Sequence, residues 1–180
     1  GGEVASARAL ETFAAAVASG ADQTGGPGLE DLEAAVQAAN GEVHAEAHHS
    51  TDLSGMGTTL CAVSRLDDRR VGIVNVGDSR VYLLRNAALY QITEDHSFVE
   101  TLVREGRLTR AQAEVHPQRN VITRALGIEP YVEVDSWVVE VMTGDRFLLC
   151  SDGLFNEVPE TDIETLLVGV ADPAEVADLL

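Results

Sequence analysis

Residues Phe147 to Cys150 form an unbroken apolar run that stops on Ser151, Asp152 and Gly153. Such a run suits a short strand buried on both faces, with a helical turn as the alternative at this length. A carboxylate at the end of a buried strand is costly unless something compensates its charge. A hard divalent cation does so, because it takes oxygen ligands; the plainer alternative is a strand closed by an Asp-Gly turn. Gly153 would let the backbone turn sharply or let another group come close. Asp78 repeats the arrangement, following the apolar segment that ends at Val76 and preceding the small residue Ser79. If the two strand ends meet, two carboxylates converge, each resists ionisation, and a cation between them relieves the repulsion. Asp78 and Asp152 are therefore the candidate metal ligands.

Other residues with chemical potential are weaker candidates. His44 and His48 stand four apart in a helical stretch and share a face, a spacing that can bind zinc. The metalloprotease pattern wants Glu directly after the first His, and Ala45 stands there instead. Cys61 and Cys150 both lie in apolar runs and read as small core residues rather than as a disulfide or a thiolate metal site. The net charge of −18 argues against a nucleic-acid surface and against anionic membranes. An acidic surface is compatible with cation collection, but it also simply keeps a protein soluble. No apolar run reaches the length of a membrane span, and no segment reads as a signal peptide. At 180 residues and 45% hydrophobic content the chain suits one domain with a real core.

The elements that must position these carboxylates follow from periodicity. Residues 4–17 and 29–49 are Ala-rich with apolar positions at helical spacing, joined by a Gly-rich linker over 19–28. The period then changes to that of strands, over 57–66, 70–76, 81–84 and 88–92, which reads as an antiparallel meander with a hairpin at Asn86-Ala87. Residues 93–127 break the meander with short helices over 98–105 and 110–115, the second capped by Thr109. A polar insertion of that size between strands is often a functional flap. Residues 131–142 and 146–151 supply two more strands, and 159–168 and 173–180 read as helices. Alternation makes Val63, Ile73, Val74, Val81, Leu83, Val139, Leu148 and Leu149 the expected core.

Five motifs then occur in a fixed order. They are Ser54-Gly55-Met56-Gly57-Thr58-Thr59-Leu60, Val76-Gly77-Asp78-Ser79-Arg80, Glu94-Asp95-His96-Ser97, His116-Pro117-Gln118-Arg119-Asn120 and Ser151-Asp152-Gly153-Leu154. Together they resemble the bacterial metal-dependent serine/threonine protein phosphatases, the PPM family or type 2C, over nearly the whole chain. The resemblance implies an α+β fold, a four-layer α-β-β-α sandwich with two facing antiparallel sheets and metals in a cleft at one edge. It implies hydrolysis of phosphoserine and phosphothreonine in proteins by a metal-activated water. The cofactors would be manganese or magnesium, as two core ions with a possible third, weaker site. In that scheme Asp152 is a core ligand and Asp78 belongs to the third site, shared with Asp152. His116, Arg119 and Asn120 lie in the flap beside the cleft, where they would contact substrate or shape metal access.

The same resemblance implies that 1–180 is a phosphatase catalytic domain incomplete at both ends, with 94–126 as its flap-like insertion. Gly1-Gly2-Glu3 resembles the tail of the Asp-Gly-x-Gly-Gly segment whose Asp bridges the core metals, and the closing Asp-Asn pair would follow Leu180. No catalytic proton donor is assigned; His96 reads as a capping or packing residue. Phosphoproteins, and Ser/Thr kinases acting on them, are the implied partners, in the cytoplasm or in a cytoplasmic domain. Two other readings stay open: a non-catalytic PPM-like regulatory or partner-binding module, and an unrelated acidic α+β binding domain.

Overall fold

A computed structural model describes residues 1–20 and 26–180. The first two helices are α1 (Gly2–Gly20) and α2 (Leu29–His49). Residues 21–25 of the expected linker lie outside the described residues, and its first two positions are the last turn of α1. The Ala-rich faces let the two helices lie close. Ala5, Ala9, Leu32, Val36, Ala39 and Val43 are buried in one cluster with Val74 and Val76.

Six strands follow, interrupted by short helices. They are β1 (Leu60–Arg65), β2 (Arg70–Val76), β3 (Arg80–Arg85), β4 (Ala88–Gln91), β5 (Asp135–Glu140) and β6 (Arg146–Cys150). Between β4 and β5 lie α3 (Phe98–Arg104) and α4 (Arg110–Glu114), and after β6 come α5 (Asp152–Phe155), α6 (Glu160–Gly169) and α7 (Pro173–Leu179). The strands form two antiparallel sheets, ordered β1-β2-β5 and β4-β3-β6. Helices α1 and α2 cover the first sheet; Ile163 and Leu167 of α6 and Val176 of α7 pack on Leu84 of the second. This is the four-layer sandwich with facing sheets.

The expected continuous meander is corrected at one point. β2 and β3 are consecutive but do not pair; the chain leaves one sheet at Val76 and enters the other at Arg80. The reason is Gly77, whose φ of 109° turns the backbone out of the first sheet. A Cβ there would lie 2.3 Å from Thr59 Cγ2, so only glycine fits. The stretch after β6 is corrected too. Ser151-Asp152-Gly153 is not a sharp Asp-Gly turn but the start of α5, with Ser151 as its N-cap residue.

The expected core is largely recovered. Ile73, Val74, Val81 and Leu83 are buried, while Val63, Val139 and Leu148 are half-buried. Leu149 is not in the core: it is 42% exposed. β6 hydrogen-bonds a neighbour only on its β3 side, so Leu149, opposite Val81, faces an open cleft rather than a packed layer. Among the described residues no helix is long and apolar enough to cross a membrane.

The β3–β4 hairpin turns through Asn86 and Ala87, both in the left-handed region at φ 53° and 60°. That is the type I′ geometry suited to strand twist, and Asn86 tolerates it better than Ala87 does. Ala87→Gly should therefore raise stability by about 0.5–1 kcal/mol, the relief of left-handed strain offset by the greater freedom of unfolded glycine. A lower melting temperature for this variant would contradict the turn geometry.

Candidate metal centre

Strands β3 and β6 pair with Arg80 opposite Cys150 and Val81 opposite Leu149. Asp78 and Asp152 both lie two residues beyond this end of the ladder, Asp78 before β3 and Asp152 at the start of α5. The electrostatics agree. Burial pushes the Asp78 carboxyl above its ordinary range, and the charge of Asp152 pushes it further, followed by that of Asp95. Asp78 is half-buried and Asp152 is exposed, so the pair stands at the surface end of the ladder. Beside it opens a cleft of about 300 Å³, lined by Thr59 and Ser79 on one side, by Leu149, Cys150 and Ser151 on another, and by Leu10 of α1.

The neighbouring cation does not neutralise this pair. Arg80 sends its fork to Asp95, with Nε 2.9 Å from Oδ1 and Nη2 2.6 Å from Oδ2. Its Nη1 donates to the Tyr82 hydroxyl at 2.8 Å, and its guanidinium lies 3.6 Å over the Phe155 ring. Burial lowers the Arg80 pKa, but Asp95 outweighs it and holds the group firmly charged. Phe155 belongs to the short helix that Asp152 begins. One arginine thus fixes the element carrying Asp152 while its charge is committed to Asp95.

The Gly77 turn is held as closely. The His96 ring accepts from the Gly77 N–H through Nδ1 at 2.9 Å, and the His96 N–H donates to the Gly77 carbonyl at 3.0 Å. Asn75 Nδ2 donates to the same carbonyl at 3.2 Å and to that of Glu94 at 3.4 Å. On its other side the His96 ring meets Asp135 Oδ2 at 3.1 Å. Burial raises the Asp135 carboxyl, but hydrogen bonds from His96 and Arg124 outweigh it, so its pKa falls below the usual range. Ser79 and Thr59 share a hydroxyl contact of 2.9 Å, which ties the first motif to the second.

Sequence reasoning read His96 as a capping or packing residue and did not single out Asp95, Arg80 or Asp135. Capping at this helix belongs to Ser97, whose hydroxyl accepts from the Glu100 N–H at 3.2 Å. His96 is buried and grips a peptide from a strand end 19 residues earlier in the chain. No local pattern announces a bond of that span; the only signal was the adjacent Asp95-His96-Ser97 of a recurring motif.

The loop residues lie apart from the carboxylate pair. His116 is half-buried, its ring 6.1 Å from that of Phe98, and its Nδ1 accepts from the Gln118 N–H at 3.1 Å. Arg119 and Asn120 are exposed. The chain has 12 basic residues, all arginine. Among the described residues, only Arg69 and Arg119 have guanidinium groups with no hydrogen bond or ion pair. Among the described residues no hydrogen bond or ion pair joins residues 116–120 to Asp78 or Asp152.

Neither other metal candidate gains support. The His44 and His48 rings stack at 4.2 Å, with His48 Nδ1 bonded to the His44 carbonyl at 2.8 Å. Among the described residues no group of three or more His, Cys, Asp or Glu could hold an ion. Burial pushes the Cys61 and Cys150 thiols up to about 11, but both are half-buried and line the cleft rather than sitting in the core as expected. The donors that do converge, two carboxylates with one held above its ordinary range, fit part of a hard-cation site.

Comparison with known proteins agrees with this geometry. The family pattern described as protein phosphatase 2C matches residues 1–177. A serine/threonine phosphatase of Listeria monocytogenes serovar 1/2a, stp, is 48% identical over 148 residues, 82% of this chain and 58% of that protein. The serine/threonine protein phosphatase PstP of Mycobacterium tuberculosis is 49% identical over 158 residues, 87% of this chain and 29% of that protein. The crystal structure of the latter's phosphatase superposes with a TM-score of 0.86 at 43% identity, covering 99% of this chain and 75% of that one. The catalytic domain of a serine/threonine protein phosphatase PstP in complex with two manganese ions gives 0.85 at 41% identity, covering 98% and 71%. The chain thus spans less than two thirds of the curated relatives it matches. With the sheet order, the paired strand ends and a match over nearly its whole length, this chain belongs to the protein phosphatase 2C family.

Proposed function

We propose that the protein containing this chain hydrolyses phosphoserine and phosphothreonine in proteins, with manganese or magnesium as cofactor. The observation that carries the reading is the convergence of Asp78 and Asp152 at the shared end of β3 and β6, with Arg80 committed elsewhere. The manganese complex of the PstP catalytic domain supports a divalent ion in this family. Asp152 would hold a core ion, and Asp78 would share a third, weaker one with it. When bound, such ions supply Lewis acidity toward phosphoryl oxygens and lower the pKa of water. This chain's residues then position rather than react. Asp78 would present oxygen ligands from the turn before β3 and Asp152 from the start of α5, and the Thr59–Ser79 contact ties the Asp78 turn to the segment before β1.

The insertion over 94–126 divides in two by packing. Thr93, His96, Ser97, Val99, Glu100 and Leu102 are buried, whereas most residues from 103 to 123 are exposed. The second part is the proposed flap. His116 shapes its loop, and Arg119, whose guanidinium is unengaged among the described residues, is suited to a phosphoryl group as a planar fork of donors. Asn120 would add an amide beside it. The partners on this reading are cytoplasmic phosphoproteins and the Ser/Thr kinases that modify them.

The decisive experiment compares the natural full-length protein with its Asp152→Asn variant. The variant should lose at least about 10–100-fold in manganese affinity by calorimetry, since even an outer-shell partner contributes that much. Hydrolysis of a phosphothreonine peptide should fall in parallel. Equal affinity and equal hydrolysis in the two proteins would leave Asp152 a structural residue, whereas no hydrolysis by either would favour a non-catalytic binding module.

Asp78 yields a pH prediction for the metal-free chain. A carboxyl held above its ordinary range binds its proton more tightly folded than unfolded. Stability is therefore lost as pH rises from the unfolded carboxyl pKa through the folded one. Asp78→Asn should raise the metal-free melting temperature at pH 7, and the gain should vanish below about pH 3.9, the unperturbed Asp value. Melting curves with chelator across that range check it; a gain that persists unchanged into acid would have another cause.

A further inference from the structure

We propose that His96 is a positioning residue for the metal-binding carboxylate Asp78, acting through the two peptides that flank Gly77. This rests on reading Asp78 as a cation ligand. His96 holds both peptides at once. Its ring accepts the Gly77 N–H, which fixes the plane entering the turn. Its own backbone N–H binds the Gly77 carbonyl, which fixes the plane that leads into Asp78. Gly77 at φ 109° is the one residue in the crossover with a wide choice of conformations, so these two bonds decide where Asp78 points.

The ring can do this in only one tautomer. Because Nδ1 accepts from Gly77, the proton sits on Nε2 and is donated to Asp135 Oδ2 at 3.1 Å. Arg124 Nη1 also lies 2.9 Å from Nε2, but both atoms carry protons, and its hydrogen bond goes to Asp135 Oδ1 at 2.6 Å. Asp135, held by Arg124, thus selects the tautomer that leaves Nδ1 free to accept. Carboxylate, imidazole and peptide form one chain of hydrogen bonds from β5 to Gly77, the residue that precedes Asp78. A group whose task was only to fill space would need neither a fixed tautomer nor a bond to the turn. The imidazole touches no reacting atom in this scheme; it sets the ligand's direction.

Two substitutions separate the arms of the ring. Asn places its amide oxygen near the position of Nδ1 and can accept from Gly77, but it does not reach Asp135. Gln places its amide NH₂ near Nε2 and can donate to Asp135, but leaves the Gly77 N–H without its acceptor. The experiment is manganese titration calorimetry on the natural full-length protein and its His96→Asn, His96→Gln and Asp78→Asn variants, with melting curves for each. His96→Gln should weaken the weakest manganese site roughly tenfold, the scale of an outer-shell loss. His96→Asn should stay within about twofold of wild type even where both variants lose similar melting temperature. Equal manganese binding by His96→Asn and His96→Gln would overturn the proposal, because loss of packing alone would then explain both. If Asp78→Asn binds manganese as wild type does, the ligand reading fails and the proposal falls with it. If Asp78→Asn weakens binding and His96→Gln does not, the ligand stands and the positioning role alone is refuted. A measurement on the unaltered protein covers variants that do not fold: the His96 ring nitrogens should show Nε2 protonated and Nδ1 bare by ¹⁵N chemical shift. The opposite tautomer would refute the proposal directly.

Discussion

The grip of His96 on Gly77 is the constraint on which the rest of the site depends. Two consecutive strands must part company there, one ending in the first sheet and the other opening the second. A crossover between facing sheets needs a sharp change of direction in a space already filled by Thr59. Glycine permits the turn, but a permissive residue does not choose a conformation. The choice is made by hydrogen bonds from His96 and Asn75, both buried, both satisfying peptide groups that would otherwise be costly orphans. Once Gly77 is set, Asp78 stands beside the same end of the β3–β6 ladder as Asp152, whose charge it feels.

The charge of −18 gains meaning from how the arginines are used. Four acidic groups that brace the fold each receive a guanidinium: Asp95 from Arg80, Asp145 from Arg85, Glu100 from Arg110, Asp135 from Arg124. Several of these carboxylates are nearly buried, where an unpaired charge would be expensive. Asp78 and Asp152 receive none. The Coulomb relief that Arg80 gives Asp78 is smaller than the combined cost of burial and of Asp152. A pair of carboxylates left uncompensated among so many paired ones is what a cation-binding edge requires. The acidic composition alone could not distinguish this from an ordinary soluble surface.

What was legible in the sequence follows from what is local. α2 and β2 fall on their expected residues because Ala-rich helical spacing and a Val/Ile run are decided within a short window. The two carboxylates were legible for the same reason, each ending an apolar strand. The sheet change at Gly77 was not, since a turn between consecutive strands looks the same whether the second pairs with the first or abandons it. Leu149 was misplaced because alternation says which side a residue faces but not whether that side is covered. His96 was undervalued because its partners, Gly77 and Asp135, are distant in sequence, and a buried hydrogen-bond chain leaves no periodic trace.

The two halves of the insertion explain how one fold can keep its chemistry while changing what it acts on. Residues 94–102 belong energetically to the sheets: Asp95 holds Arg80, His96 holds Gly77, and buried Glu100 pairs with Arg110 at the start of α4. A change there propagates to the turn before Asp78 through a bond of 2.9 Å. Residues 103–123 are mostly exposed, and they tie back to that inner part through the Arg110–Glu100 pair and through backbone bonds such as Phe98 N–H to Val121 and Thr123 N–H to His96. Substitutions on such a rim cost little in stability, because surface positions away from buried networks usually do. The inner half therefore fixes the turn that precedes Asp78, while Arg119 and its neighbours on the outer half lie exposed.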